Sequence, residues 1–136
     1  MRVYVDTSVL LRVVLGEPRR LRAWSRIRHA SSSELIRVEC LRTLDRARLA
    51  GELADDEVAE RRESVDELLA SFDTITLDRR ILRSAAEPLP TTLGTPDAIH
   101  LASARALRMR VPELRFATHD DALAIAARAV GFTVMR

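Results

Sequence analysis

Four acidic residues stand out because each lies where a strand is predicted to end or a helix is predicted to begin. They are Asp6, Glu39, Asp97 and Asp120. Carboxylates gathered in one crevice repel each other unless a cation holds them, and Mg²⁺ and Mn²⁺ prefer oxygen ligands. One or two such ions can generate hydroxide and stabilise the leaving oxygen of a phosphodiester. The four acids together therefore predict a hydrolytic metal site.

The predicted elements explain how residues so far apart in the chain can meet. Asp6 directly follows an apolar strand at 2–5, and Asp120 follows a strand at 114–118 by two residues. In an open parallel sheet, ligands bind in the crevice beyond the carboxyl ends of the strands. Asp97 lies in the first turn of a helix that begins with Thr95 as N-cap and proline at the first helical position. Its position near a helix N-terminus favours an anion.

Each acid also has a simpler structural explanation. Asp6 and Asp120 can cap the helices that follow them, and Asp97 can complement a helix dipole. Glu39 can form an exposed pair with Arg42, which would stabilise the helix by about 0.2–0.5 kcal/mol. No single acid decides the matter, so the functional interpretation depends on their combination.

The rest of the chain alternates strands with helices. The predicted strands lie at 2–5, 29–32, 72–77, 114–118 and 132–135. The predicted helices lie at 7–14, 19–28, 55–71, 78–87, 95–109 and 120–130, together with one that starts at the capping-box sequence Ser31-Ser-Ser-Glu34 and ends at Gly51. This order is typical of an α/β protein with a central, mostly parallel five-stranded sheet and helices on both faces. We expect one domain over residues 1–136.

The basic residues and the single cysteine bear on the class of ligand and on the cellular location. All 22 basic residues are arginine. The nucleotide composition of the genome explains this bias, and arginine also suits phosphate recognition. The single cysteine, Cys40, excludes an internal disulfide and predicts a reducing, cytoplasmic location. No stretch approaches the roughly 20 apolar residues of a membrane span, and the first residues read as a strand rather than a secretory signal.

The densest basic run allows two interpretations. It is either the exposed face of a helix or a track for a nucleic-acid backbone beside the acidic crevice. The run consists of Arg19, Arg20, Arg22, Arg26 and Arg28.

Three other side chains have reactive groups. We expect His100, three residues after Asp97, to be packed or exposed rather than catalytic. His119 is predicted to point away from Thr118 and Asp120, and Cys40 to be a small buried residue.

Taken together, these segments resemble the PIN domain over essentially the whole chain, and more closely the VapC-type toxins of bacterial toxin–antitoxin pairs. The segments that carry the resemblance are Asp6-Thr-Ser-Val-Leu, Ser-Glu-Leu-Ile-Arg-Val-Glu39-Cys, Thr-Pro-Asp97-Ala-Ile-His-Leu-Ala-Ser-Ala, and Thr118-His-Asp120 followed by Ala127-Arg-Ala-Val-Gly-Phe.

The resemblance implies an endoribonuclease toxin that depends on Mg²⁺ or Mn²⁺ and cleaves RNA. It makes all four acids catalytic, with Asp6 and Asp97 as metal ligands and Glu39 and Asp120 as direct or water-mediated ones. It gives Thr118 a supporting role, while Asp121 stays an alternative to Asp120. It also implies a cognate antitoxin and a homodimer.

Two other functions remain open from the residues alone. One is a different Mg²⁺-dependent phosphohydrolase, although the dehalogenase-type phosphatases carry a second aspartate where this chain has Ser8. The other is a non-catalytic binding domain whose acids only cap helices.

Overall fold

A single parallel sheet organises the protein. The computed structural model describes residues 1–136. The strands are β1 (Arg2–Val5), β2 (His29–Ser33), β3 (Asp73–Ile75), β4 (Arg115–Ala117) and β5 (Val134–Met135). They lie in the order β3-β2-β1-β4-β5, and every neighbouring pair is parallel. The predicted α/β class and the five strands are therefore confirmed, with a sheet that is wholly parallel.

Helices cover both faces of the sheet, as predicted, although six form rather than the seven that the sequence suggested. They are α1 (Thr7–Val14), α2 (Leu35–Leu49), α3 (Asp55–Leu69), α4 (Arg79–Ala85), α5 (Thr95–Arg108) and α6 (Asp121–Ala129). The alternation of β1 divides the core, because successive side chains of a strand point to opposite faces. Val3 and Val5 pack in one apolar cluster with α1, α2 and α3, whereas Tyr4 packs in another with α5 and α6. No helix combines the length and apolarity that crossing a membrane requires.

The strand order also creates the crevice that positions the site. The chain moves from β1 to β2 on one side and returns to β4 on the other side of β1. The crevice between the carboxyl ends of β1 and β4 is therefore a topological switch point, where open parallel sheets bind ligands. Val5 pairs with Ala117 in this register, so Asp6 and Thr118 follow two adjacent strand ends.

The predicted helix at 19–28 is wrong. Only a short 3₁₀ turn forms there, at Trp24–Arg26. Leu21 is buried and Trp24 and Ile27 are partly buried against the cluster that includes α1, α2 and α3. An irregular segment lying on the core thus produced the apolar spacing of three that suggested a helix.

Two predicted helix starts are also corrected. Residues 31–33 continue β2 instead of forming a capping box, and the Ser33 hydroxyl accepts a hydrogen bond from the amide of Leu35 (3.2 Å). The Glu34 carboxylate accepts one from the amide of Leu77 (2.8 Å), so it ties α2 to the chain beyond β3. Gly94 is the N-cap of α5, and Thr95 is its first residue.

Candidate acidic active site

Asp6 is a rigidly held acid at the carboxyl end of β1. It is 3% exposed, and its backbone amide donates to the carbonyl of Ala117 in β4 (3.0 Å). Its Oδ2 atom accepts hydrogen bonds from the hydroxyls of Ser8 (2.6 Å) and Thr118 (2.9 Å) and, more weakly, from the amide of Ser8 (3.3 Å). All these bonds go to one oxygen, so Oδ1 makes none and is available to a ligand.

Asp120 is held next to Asp6 through the same threonine. The Asp120 amide donates to the Thr118 hydroxyl (3.0 Å), and its Oδ1 atom accepts from the amide of Leu123 (2.7 Å) as the N-cap of α6. Oδ2 makes no hydrogen bond. Asp121 is different, because its exposed carboxylate pairs with Arg136 (2.6 Å). The structure therefore favours Asp120 over Asp121 as the fourth acid of the crevice.

The pKa of Asp97 is affected by the other acids, although its side chain makes no hydrogen bond. Burial, followed by the charges of Asp6 and Asp120, raises the pKa of Asp97 to about 6, and Glu39 adds a smaller contribution. A carboxyl group whose pKa is raised by like charges lies within their field. The four predicted acids are thus brought together at one edge of the sheet.

Glu39 reaches the crevice from α2, and the exposed-pair alternative is wrong. Its Oε2 atom accepts a hydrogen bond from the Thr7 hydroxyl (2.5 Å) and lies 2.6 Å from Nε2 of His100. Arg42 instead contacts Asp45 (3.6 Å). Burial acts to raise the pKa of Glu39, but the contacts with His100 and Thr7 outweigh it, so the pKa lies below its usual value.

Four residues of the site were missed as site residues in the sequence. They are Tyr4, Thr7, Ser8 and His100. His100 is packed, as predicted, and is fully buried, yet it is bonded to Glu39. The adjacency of Thr7 and Ser8 to Asp6 was an available signal, since hydroxyls in a first helical turn readily bond nearby carboxylates. The residues next to Tyr4 and His100 in the sequence give no indication of this contact, which joins side chains 96 positions apart.

The set of donors fits a hard divalent cation. Each acid keeps at least one oxygen free of hydrogen bonds, and the only basic side chain within 4.0 Å of any of them is His100. No three histidine, cysteine, aspartate or glutamate side chains lie close enough together to hold a metal ion between them. Mg²⁺ typically takes one or two carboxylates and keeps several waters, so this open arrangement suits it better than a protein cage would.

Part of the dense arginine run lies away from these acids. All five arginines are exposed, and none pairs with a carboxylate. The amide of Arg28 donates to the carbonyl of Met1 (3.2 Å), at the amino ends of β1 and β2. Arg26 and Arg28 therefore lie toward the edge of the sheet opposite the crevice, so these two arginines are not part of a track along it.

Comparison with known proteins gives a consistent result. A family model for the PIN domain matches residues 3–129. Ribonuclease VapC46 of Mycobacterium tuberculosis (strain ATCC 25618 / H37Rv) is 36% identical over 140 residues, which cover 98% of this chain and 95% of that protein. Ribonuclease VapC47 of Mycobacterium tuberculosis (strain CDC 1551 / Oshkosh) is 31% identical over 137 residues, with 96% and 93% covered.

Two solved structures share the fold at low sequence identity. A toxin–antitoxin complex from Klebsiella pneumoniae has a chain that matches with a TM-score of 0.66 and 19% identity, over 91% of both chains. VapBC2 from Rickettsia felis, bound to a DNA fragment from their promoter, matches with a TM-score of 0.62 and 12% identity, over 98% of this chain and 97% of that one.

Proposed function

Since the chain belongs to the PIN-domain family, and within it to the VapC type, we propose that it is a metal-dependent endoribonuclease, the toxin of a toxin–antitoxin pair. The observation that carries the proposal is the meeting of Asp6, Glu39, Asp97 and Asp120 at the β1–β4 switch point, each with a free oxygen. The names of the two ribonuclease relatives support RNA as the substrate.

The competing functions account for the site less well. The hydroxyl of Ser8 bonds Asp6, so the second aspartate of a dehalogenase-type phosphatase has no counterpart here. A domain whose acids only cap helices would gain nothing from Asp97, which makes no cap bond and lies among like charges. Such an arrangement opposes folding unless a cation offsets the repulsion.

The residues of the site have different roles in the proposed reaction. Mg²⁺ or Mn²⁺ at Asp6 and Asp97 would supply Lewis-acid activation of water and stabilisation of the leaving oxygen. Ser8 and Thr118 fix the Asp6 carboxylate through Oδ2 and leave Oδ1 without a hydrogen bond. The free oxygens of Glu39 and Asp120 can accept protons from water and orient it toward the phosphodiester.

The direct test is cleavage of total bacterial RNA by the purified chain, followed by sequencing of the new ends. We expect discrete cuts in Mg²⁺ or Mn²⁺, none in excess EDTA, and recovery when the metal is restored. Cleavage that persists unchanged in EDTA would contradict the metal-dependent mechanism, and its absence with every RNA and metal would contradict the nuclease function.

We also propose a cytoplasmic homodimer that a cognate antitoxin restrains. The free carboxylate oxygens suit a lysine or arginine of the antitoxin, which would compete with the metal by charge. The structural neighbours from toxin–antitoxin assemblies support such a partner. Titration of the toxin with its antitoxin should abolish cleavage once all of the toxin is in the complex. Full activity of the saturated complex would refute the model.

The position of Arg26 and Arg28 leads to a separate prediction. We expect the double variant Arg26→Gln/Arg28→Gln to change the cleavage rate of a short RNA by less than about twofold at 0.15 M salt. Exposed charges separated by more than the Debye length, about 8 Å under these conditions, are largely screened. Measurement of kcat/KM at two salt concentrations checks this, and a loss of tenfold or more would show that this edge contacts the short substrate.

A further inference from the structure

Helix α4 has a face of three exposed arginines that is separate from the run at 19–28. The face consists of Arg79, Arg80 and Arg83. Successive residues of an α-helix are about 100° apart around its axis, so these three positions fall within an arc of about 100°. Ile81 lies outside this arc and is buried. The three guanidinium groups therefore share one solvent-exposed side of the helix.

No acid neutralises this arginine face. None of the three guanidinium groups lies within 4.0 Å of a carboxylate, and none donates a hydrogen bond within the chain. The acid that precedes them, Asp78, is the N-cap of α4, and its Oδ1 atom accepts from the amide of Ile81 (2.9 Å). All three arginines are thus free to bind an anionic ligand.

Two of these arginines lie where a positive charge is unfavourable for the helix itself. Arg79 and Arg80 are its first two residues, next to N–H groups that carry partial positive charge. The only other arginine in the first turn of a helix is Arg37 of α2, and Asp66 pairs with it (2.8 Å). An uncompensated local cost of this kind is typical of residues that serve a ligand.

The packing of α4 brings the arginine face close to the acidic site. Ile81 belongs to an apolar cluster that also includes Ile99 of α5 and Leu35 of α2. Ile99 is two positions from Asp97, and Leu35 is four positions from Glu39, which corresponds to about 3 and 6 Å along the helix axes. Helix α4 therefore adjoins both of the helices that contribute acids to the site.

We propose that Arg79, Arg80 and Arg83 bind the RNA backbone beside the scissile phosphodiester and offset the repulsion between the acids and the substrate. RNA carries a negative charge at each phosphate, and the guanidinium fork binds phosphate oxygens through paired hydrogen bonds. Base stacking offers little alternative, because the chain has one Trp and one Tyr and the tyrosine is fully buried. This inference rests on the proposed function, since it assigns a binding surface to the same substrate.

Binding of a labelled single-stranded RNA tests the proposal without cleavage. Fluorescence anisotropy in EDTA gives the association constant at several salt concentrations. We expect Arg79→Gln/Arg80→Gln/Arg83→Gln to bind roughly 10–100-fold more weakly than the wild type at about 0.15 M salt. The slope of log K against log salt concentration should become shallower by about 2, since each phosphate contact of a single strand contributes about 0.7.

Three arginines at the far ends of α5 and α6 provide a matched control. Arg105, Arg110 and Arg128 are also exposed and free of ion pairs, but they lie toward or beyond the last turns of these helices. Asp97 and Asp120 lie at the starts of the same helices. Replacement of all three control arginines by glutamine removes the same charge, and we expect it to weaken RNA binding by less than about threefold with little change in the salt slope.

Thermal unfolding separates ligand binding from a structural role. The α4 variant should melt at or above the wild-type temperature, because it loses two positive charges from a first helical turn and no contact within the chain. A melting temperature well below that of the wild type would assign these arginines to the fold and overturn the proposal.

The remaining outcomes are equally decisive. Equal loss of RNA binding in the two triple variants would show that only net charge matters, and unchanged binding by the α4 variant would show that the RNA lies elsewhere. Normal RNA binding with weaker antitoxin binding would assign the face to an acidic protein segment. Each of these results overturns the proposal. The measurement requires no cleavage, so an inactive wild type would refute the nuclease function and leave the RNA-binding result intact.

Discussion

Asp97→Asn should lower the rate of RNA cleavage by more than about 100-fold while leaving the fold intact, because loss of a metal-site group reduces activity by at least this order. Asp97 makes no side-chain hydrogen bond within the chain, so asparagine removes a charge and breaks no structural contact. Single-turnover cleavage in saturating Mn²⁺ measures the effect on the chemical step. Circular dichroism checks that the helices remain.

A matched substitution outside the cluster provides the control. Asp73→Asn makes the same change at an exposed position of β3 and should leave the cleavage rate at the wild-type value. Asp6→Asn should resemble Asp97→Asn, since the amide oxygen of asparagine can still accept the bonds from Ser8 and Thr118. Wild-type cleavage by either cluster variant would remove that residue from the proposed site.

The sequence was sufficient to predict the acids because their positions follow from local rules. A short apolar strand followed by Asp6, and a helix with a proline in its first turn just before Asp97, each appear in a few consecutive residues. The rule that parallel sheets bind ligands at the carboxyl ends of their strands then joins these local signals. Glu39 was predicted by the same ensemble, although its spacing of three from Arg42 also allowed a surface pair.

The features that the sequence did not reveal depend on contacts between distant segments. The spacing of Leu21, Trp24 and Ile27 is helical, but the three side chains face the core from an irregular segment. The partnership of Tyr4 with His100 joins residues 96 positions apart and depends on the packing of α5 against the sheet. Periodicity describes one element at a time, so it cannot identify such pairs.

The capping and cluster interpretations of the acids prove to be compatible. Asp6 and Asp120 use one carboxylate oxygen to cap α1 and α6, and each keeps the other oxygen free. The cap bonds fix the side chains in one orientation before any ligand arrives, which lowers the cost of assembling a site. Local helix chemistry and the acidic site thus use the same residues.

The second large effect concerns stability without metal. In EDTA at pH 7.5, we expect the free energy of unfolding of Asp97→Asn to exceed that of the wild type by on the order of 1–2 kcal/mol. This size follows from about 1.4 kcal/mol per unit of pKa shift, reduced because Asp97 is partly exposed. This corresponds to a melting temperature higher by about 3–8 °C. The reason is that the folded state raises the pKa of Asp97 from 3.8 to about 6 through burial and neighbouring acids.

The pH dependence fixes the sign of this effect. Between about pH 4 and pH 6 the folded wild type binds more protons at Asp97 than the unfolded chain does, so its stability falls as the pH rises through that window. Asparagine does not titrate, so the advantage of the variant should vanish below about pH 4 and reach its full size above pH 6. Mg²⁺ should reverse the order, because a ligand that binds only the folded wild type stabilises it. Equal melting curves of the two proteins in EDTA from pH 4 to pH 7.5 would show that Asp97 does not experience the charges of Asp6 and Asp120.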